Sequence, residues 1–170
     1  MKTTIYTVLL ALITIGFASC EKRDYPAGTP EFENYYYAGY LPWNNTGTES
    51  VLRTQTKLVK FPVQFNSAYV RDYDASAYYK LVTTGITNAA VLGQDFDVVD
   101  KNGNSIKATD GNYALVFPKA QAKIDTIYLK VLNSSVAGTR KIEIDLVKNV
   151  SSNYTVGTFS QSYIRFLEVK

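Results

Sequence analysis

Carboxylates two positions apart are the first residues in this sequence that could carry out chemistry. Asp72 and Asp74 have this spacing, as do Asp95 and Asp97, and it puts both carboxylates on one side of an extended chain. Two carboxylates are sufficient for glycoside hydrolysis. Loop solvation explains the first pair equally well, and a strand-end turn explains the second. No further catalytic motif accompanies either pair, so we predict a non-enzymatic protein, with hydrolysis as the alternative.

Residues for other catalytic or metal-binding chemistry are scarce. The 170 residues include no histidine and one cysteine, which excludes a conventional Ser-His-Asp triad and removes the commonest zinc ligand. The segment Asp100-Lys101-Asn102-Gly103-Asn104 is similar to a calcium loop, but its glycine is fourth instead of sixth and the closing glutamate is missing. We interpret it as a turn. The sequence therefore predicts neither a metal nor a cofactor.

The single cysteine, Cys20, follows a segment with the features of an export signal. Lys2 supplies a positive charge, residues 5–17 are mostly apolar and too few to span a membrane, and the two residues before Cys20 are small. A signal peptidase that lipidates cysteine requires small residues before the cleaved bond and a thiol after it. We therefore predict a lipoprotein signal peptide at residues 1–19 and lipidation, including palmitate, at Cys20. An ordinary cleaved signal with an incidental cysteine is the alternative.

Tyrosine is abundant, with 14 copies, and residues 34–45 (NYYYAGYLPWNN) hold the densest group. Exposed rings stack on the apolar faces of sugars, asparagine amides bind hydroxyl groups, and amphipathic rings also suit protein interfaces. We take Tyr36, Tyr40, Trp43 and Asn44 as candidate ligand-binding residues. Consecutive tyrosines on a strand point to opposite faces, so packing of part of this group in the core is the alternative.

The chain beyond residue 33 has the pattern of β structure, because short apolar and β-branched runs alternate with Gly, Asn, Asp and Ser clusters. Strict apolar–polar alternation predicts strands with one buried face at 58–65, 125–132 and 140–148. Pro62 indicates that the first of these lies at a sheet edge or carries a bulge. Asn102-Gly103 predicts a two-residue hairpin turn with positive φ at both residues. Weaker strands are expected at 34–40, 77–83, 96–99, 112–117 and 163–169.

These elements predict one domain at residues 34–170, an all-β, immunoglobulin-like antiparallel sandwich of seven to eight strands. A closed barrel is the alternative. Residues 20–33, which are polar and contain prolines, are expected to form a flexible tether. The net charge of +3 is spread along the chain and leaves no basic footprint for nucleic acid.

Several motifs from residue 58 onward resemble the Calx-beta family. Gly93-Gln94-Asp95-Phe96 resembles its Gly-x-Asp-Tyr/Phe element, and residues 114–120 resemble its strand leading into a Phe-x-x-Gly turn, with Ala120 in place of glycine. Residues 124–132, 140–146 and 154–157 resemble the next two strands and a late loop. The resemblance implies a seven-strand immunoglobulin-like sandwich. Calcium-binding members have acidic residues between the two late strands, whereas residues 133–139 here contain no carboxylate, so we do not expect calcium binding.

The order of signal, tether, small sandwich and aromatic-rich surface is similar to accessory lipoproteins of bacterial polysaccharide-uptake systems. Glu21 after the cysteine resembles lipoproteins released to the outer membrane. These resemblances imply a lipid-anchored protein on the cell surface or periplasmic face of that membrane. We expect a binding or scaffolding subunit that contacts glycan or a partner protein, with a structural or adhesion subunit assembled through edge strands as the alternative. Asp125-Thr126-Ile127 also resembles an O-glycosylation sequence, and the alternation puts Thr126 on the wetted face.

Overall fold

The computed structural model describes residues 36–42, 47–67, 70–147, 155–156 and 160–170. Its helical elements within these ranges are a short 3-10 turn, Pro118–Ala120, and a single-turn helix α1, Ser160–Tyr163. No helix in the described ranges is long and apolar enough to cross a membrane. The strands are β1 (Tyr36–Tyr40), β2 (Thr48–Val51), β3 (Val59–Ser67), β4 (Ala75–Val82), β5 (Phe96–Val99), β6 (Tyr113–Phe117), β7 (Lys123–Val131), β8 (Arg140–Leu146), β9 (Thr155–Val156) and β10 (Ile164–Val169).

The strands form two five-stranded sheets, the first in the order β5-β7-β3-β1-β9 and the second in the order β2-β10-β8-β4-β6. Neighbouring strands are antiparallel except for two parallel pairs, β1–β9 and β2–β10. The all-β sandwich is therefore confirmed, and two separate sheets replace the alternative of a closed barrel. The strand count exceeds the expected seven or eight because β2 and β9 are too short and polar to show alternation.

Alternation along the long strands builds the core between the sheets. Each predicted inward position in the three strictly alternating runs is buried, and burial of such a side chain contributes about 1.5–3 kcal/mol. Phe65 and Phe117 stack across the core with their ring centroids 4.8 Å apart. The buried positions of the three runs are Val59, Phe61, Val63, Phe65, Ile127, Leu129, Val131, Ile142, Ile144 and Leu146.

Pro62 lies in the central strand of the first sheet, so its prediction as an edge or bulge residue is wrong. Leu41 donates its backbone N–H to the Pro62 carbonyl at 2.9 Å. In an antiparallel hydrogen-bonded pair the two residues exchange both bonds, so the donor that Pro62 lacks would face Leu41. This point is immediately beyond the end of β1 at Tyr40. Proline at position 62 therefore removes no hydrogen bond between β3 and β7.

The chain reverses after β5 as expected, and the end of β5 forms an antiparallel bridge with Ser105. The predicted turn type is wrong, because Gly103 has a φ of +87° whereas Asn102 does not have a positive φ. Asp100 closes the loop instead. Its carboxylate accepts the N–H of Asn102 at 2.8 Å and that of Asn104 at 2.9 Å. A side-chain cap of this kind makes the second positive φ unnecessary.

The turn after β6 explains why the related motif has glycine where this chain has Ala120. Ala120 is buried and has a φ of +44°, in the left-handed region that favours glycine. Lys119 shares this conformation, with a φ of +56°. Asp74 accepts the N–H of Lys119 at 2.9 Å, and the Lys119 carbonyl accepts the N–H of Arg71 at 2.7 Å. These bonds hold the turn in a conformation that costs about 1–2 kcal/mol per residue with a Cβ atom.

Candidate functional site

The aromatic segment of residues 34–45 sends one of its rings into the core. Tyr40 is 0% exposed, its hydroxyl donates to the Ile144 carbonyl at 3.0 Å, and burial raises its pKa well above the usual value. Alternation along β1 turns Ala38 and Tyr40 inward together. The structure corrects the expectation for Tyr40, because a ring enclosed in this way is not available for stacking on a ligand.

The other candidate residues of this segment are not brought together by the described structure. Tyr36 begins β1, and its side chain lies outside the described residues, as do Trp43 and Asn44. Tyr37, on the face opposite Ala38, is 40% exposed. A ligand-binding role for Tyr36, Trp43 and Asn44 stays a prediction.

Arg165 holds the backbone that leads into Trp43. This arginine is 4% exposed, and its guanidinium lies 4.7 Å from the centroid of the Tyr40 ring. It donates to the Pro42 carbonyl at 2.6 Å and to the Ile164 carbonyl at 2.7 Å. This residue was not predicted from the sequence. The pattern that could have identified Arg165 is the alternating run IRFLEV, in which it occupies an inward position.

A buried ion pair occupies one end of the sandwich. Asp95 is 0% exposed and accepts hydrogen bonds from Arg53, from the Ser134 hydroxyl and from the Val91 N–H, each at 2.9 Å. Arg53 also donates to the Ser134 hydroxyl at 2.7 Å and to the Gly138 carbonyl at 2.6 Å. Burial alone would raise the pKa of Asp95, but these hydrogen bonds outweigh it and lower the pKa.

Arg53 therefore joins the start of β5 to residues 133–139, the connection that lacks carboxylates. The positive charge that pairs with Asp95 is therefore the guanidinium of Arg53, a group of the protein itself. Within the described ranges, no three His, Cys, Asp or Glu side chains gather closely enough to hold a metal ion.

The two carboxylate pairs considered for hydrolysis are not arranged as catalytic pairs. Asp95 is occupied by its arginine, and Asp97 points away from the core and is half-buried. Asp72 and Asp74 are exposed, and one oxygen of Asp74 accepts a backbone N–H in the turn after β6. A general acid requires a raised pKa, whereas the pKa of Asp95 is lowered.

A third pair with the same spacing, Glu143 and Asp145, lies on the outer face of β8. Burial, followed by the charge and hydrogen bond of Glu143, raises the pKa of Asp145 to about 6, and Lys80 opposes the shift. The Oδ1 atom of Asp145 is buried without a hydrogen-bond partner. This pair was not predicted from the sequence, although the alternation of β8 puts both residues on one face.

β6 forms an edge of the second sheet and has an apolar outer face. Val116 is 49% exposed, and Ala114 is exposed beside Tyr78 of β4, with which it pairs. The strand, YALVF, contains neither charge nor proline, two of the features that protect natural edge strands from pairing. This edge is suited to pairing with another strand.

No known protein family matches the sequence, and no curated protein matches it. Among solved structures, the apo form of the Calx CBD1 domain superposes with a TM-score of 0.51 at 16% identity, over 79% of this chain and 95% of that one. This chain has the Calx-beta fold. The CBD12 structures of CALX1.1 and CALX1.2 align with TM-scores of 0.48 and 0.46 at 16% and 14% identity. Both alignments cover 79% of this chain and 43% of the CBD12 chain.

Proposed function

We propose that this Calx-beta-type sandwich is a non-catalytic outer-membrane lipoprotein that contacts glycan or a partner protein of an uptake complex. The observation that carries the proposal is the anchorage of the backbone just before Trp43 and Asn44. Arg165 binds the Pro42 carbonyl at 2.6 Å, and Leu41 pairs with β3. Binding residues are commonly presented on loops that a rigid scaffold positions.

Two features support a non-catalytic role. The chain has no histidine to act as a general base. The carboxylates that could act in pairs are bound in the fold: Asp95 by Arg53 and Asp74 by a backbone N–H. The raised pKa of Asp145 belongs to a pair on the outer face of β8, flanked by Lys80 of the neighbouring strand.

Lipid anchorage is tested by the Cys20→Ala variant. We expect loss of palmitate labelling and release of the protein from the membrane fraction, because the thiol that carries the lipid is gone. Ser19→Gly, which keeps a small residue before the cleaved bond, serves as the control and should still be labelled. Labelling that persists in Cys20→Ala would contradict the lipoprotein proposal.

Binding is tested with residues 21–170 on a glycan array and in pull-downs with outer-membrane transport proteins. Trp43→Ala should lower binding at least tenfold, about 1.4 kcal/mol, without a change in the urea midpoint. Tyr73→Ala, which removes an exposed ring outside the aromatic segment, is the matched control. A loss of stability in Trp43→Ala without a separable binding defect would contradict the binding role of Trp43.

The exposed edge of β6 favours a second candidate function, that of a structural or adhesion subunit assembled by strand pairing. Val116→Lys should abolish such assembly in sedimentation velocity measurements, because a charge on an edge strand opposes pairing. Val70→Lys places the same charge at another exposed valine, which is 61% exposed, and should leave assembly unchanged. Equal effects of the two variants would exclude β6 as the assembly edge.

A further inference from the structure

A cavity of about 320 Å³ lies where β5 ends. β5 covers β7 from Val131 back to Tyr128, so within the described ranges no strand neighbours the remainder of β7, towards Lys123, on that side. Residues of β4, β6 and β7 line the opening, together with residues 100–102 of the turn after β5. Ligand pockets span about 300–1,000 Å³, so this cavity has room for one small ring.

The cavity contains polar side chains with unused hydrogen-bonding capacity. Thr126, Tyr128, Tyr79 and the side chain of Asn102 all line it, and none of these side-chain polar groups hydrogen-bonds to the described protein. Only a small part of Tyr79 is exposed, and its hydroxyl belongs to that exposed part. One carboxylate oxygen of Asp125 accepts a hydrogen bond from the Thr126 N–H at 2.7 Å. Donors and acceptors are therefore mixed around one small volume.

The remaining walls of the cavity are apolar or carry a net negative charge. Leu115 and the tyrosine rings provide apolar surface, and the Tyr79 ring is held by stacking on Tyr113 at a centroid distance of 5.1 Å. The Asp100 carboxylate is bound to its own loop through the neutral amides of Asn102 and Asn104 and keeps its charge. Asp100 and Asp125 therefore outnumber the single lysine of the lining, Lys101. This charge disfavours an anionic ligand and suits an uncharged one whose hydroxyls donate to carboxylates.

We propose that this cavity is a binding site for a single neutral sugar ring. Each sugar hydroxyl both donates and accepts, which matches the mixture of Asp125, Thr126 and Asn102, and the C–H face of the ring packs on tyrosine. This proposal rests on the proposed function, in the case where the ligand is a glycan and not a partner protein. The residues that line the cavity include none of the aromatic segment of residues 34–45, so the two can be tested separately.

The probes are D-glucose, D-galactose and D-mannose, each titrated into the millimolar range against ¹⁵N-labelled residues 21–170. We expect at least one sugar to shift the amide signals of Asn102, Thr126 and Tyr128 with a saturable dissociation constant. Asp125→Asn and Tyr128→Phe, which keep the shape of the cavity, should each weaken that constant at least fivefold. Lys130→Ala, at an exposed position farther along β7, should leave it unchanged.

Three results would overturn the cavity site. The first is the absence of shifts at these amides with all three sugars, and the second is equal affinity in wild type, Asp125→Asn and Tyr128→Phe. The third is sugar binding that disappears in Trp43→Ala but survives both cavity variants, which would support the proposed function while placing its site in the aromatic segment. If the first result is accompanied by binding of a partner protein, the proposed function stands and the cavity site alone is refuted.

Discussion

Replacing Arg53 with methionine removes the positive charge that pairs with Asp95 while keeping most of the side-chain volume. In the wild-type protein the two side chains are 12% and 1% exposed, and their ion-pair distance is 2.9 Å. The variant also loses the bonds from Arg53 to Ser134 and Gly138. Asp95 keeps its bonds from Ser134 and Val91, so the carboxylate is only partly compensated.

The expected loss of unfolding free energy is about 3 kcal/mol at neutral pH. Removing one partner of a buried ion pair costs about 3–5 kcal/mol, and the two remaining hydrogen bonds to Asp95 put this case at the lower end. Domains have an unfolding free energy of about 5–15 kcal/mol in total, so the loss is readily measured. Urea denaturation gives it directly, with Lys57→Met, an exposed lysine in the same connection, as the control.

The pH dependence gives a second measurement. The folded-state pKa of Asp95 is lowered, so its stabilising contribution is present above the unfolded pKa and is lost as the pH falls through the folded value. In Arg53→Met the carboxylate has lost its arginine, so protonation in acid relieves the penalty. The stability difference between wild type and variant should therefore narrow below about pH 4.

A double-mutant cycle with Asp95→Asn tests the coupling itself. The double variant should be more stable than the sum of the two single losses predicts, because neither buried charge is left without its partner. A loss below about 1 kcal/mol in Arg53→Met, as is typical of an exposed ion pair, would refute the reasoning. So would a difference that stays constant from neutral to acid pH.

Three further predictions concern the core, the outer face of β8 and metal binding. Tyr40→Phe should cost about 0.5–1.5 kcal/mol in urea denaturation, because the buried hydrogen bond from the Tyr40 hydroxyl to the Ile144 carbonyl is lost. Asp145→Asn should stabilise the protein above pH 6 by on the order of 1 kcal/mol after allowance for solvent screening, and it should have little effect near pH 4. The reason is that the raised folded pKa of Asp145, about 6, makes its ionisation oppose folding as the pH rises. Millimolar calcium should leave the Tm unchanged, since residues 133–139 carry no carboxylate, whereas binding at 100 times the Kd would add about 2.7 kcal/mol.

Each of these predictions has a clear opposite outcome. Equal stability of Tyr40→Phe and wild type would mean that the hydroxyl bond contributes nothing. An Asp145→Asn variant whose stability follows the wild-type pH profile would show that the carboxyl group is not perturbed. A calcium-dependent rise of several degrees in Tm would show that the late connection was misinterpreted.

Strands were predictable wherever one face is buried along many residues, as in β3, β7 and β8. In these strands the type of each side chain, apolar or polar, indicates whether it is buried. The strand can therefore be predicted from its own residues alone. β2 was missed because three of its four residues are exposed and it pairs in parallel with β10. The position of Pro62 was mispredicted because it depends on where β1 ends, which the sequence around Pro62 does not contain.

The buried charges show the same limit for the candidate site. Arg53 and Asp95 are 42 residues apart, and Arg165 reaches a carbonyl 123 residues away. Neither contact has a spacing that a sequence pattern records. The alternation of β1 could have placed Tyr40 in the core. A run of adjacent tyrosines, however, does not indicate which alternate set faces the core and which faces solvent. Only pairing with β3 decides between them.

The position of β10 also determines the order in which the sandwich can assemble. β10 comes last among the described strands but lies inside its sheet, between β2 and β8. The bond from Ser50 to Glu168 closes a separation of 118 residues, and contacts this distant in sequence slow folding because loop closure precedes any gain from pairing. Until residues 164–169 are available, β2 has no partner strand and β8 has an open edge that can pair with other chains. We therefore expect the yield of native protein to depend on how well the unfinished β8 edge is shielded during synthesis.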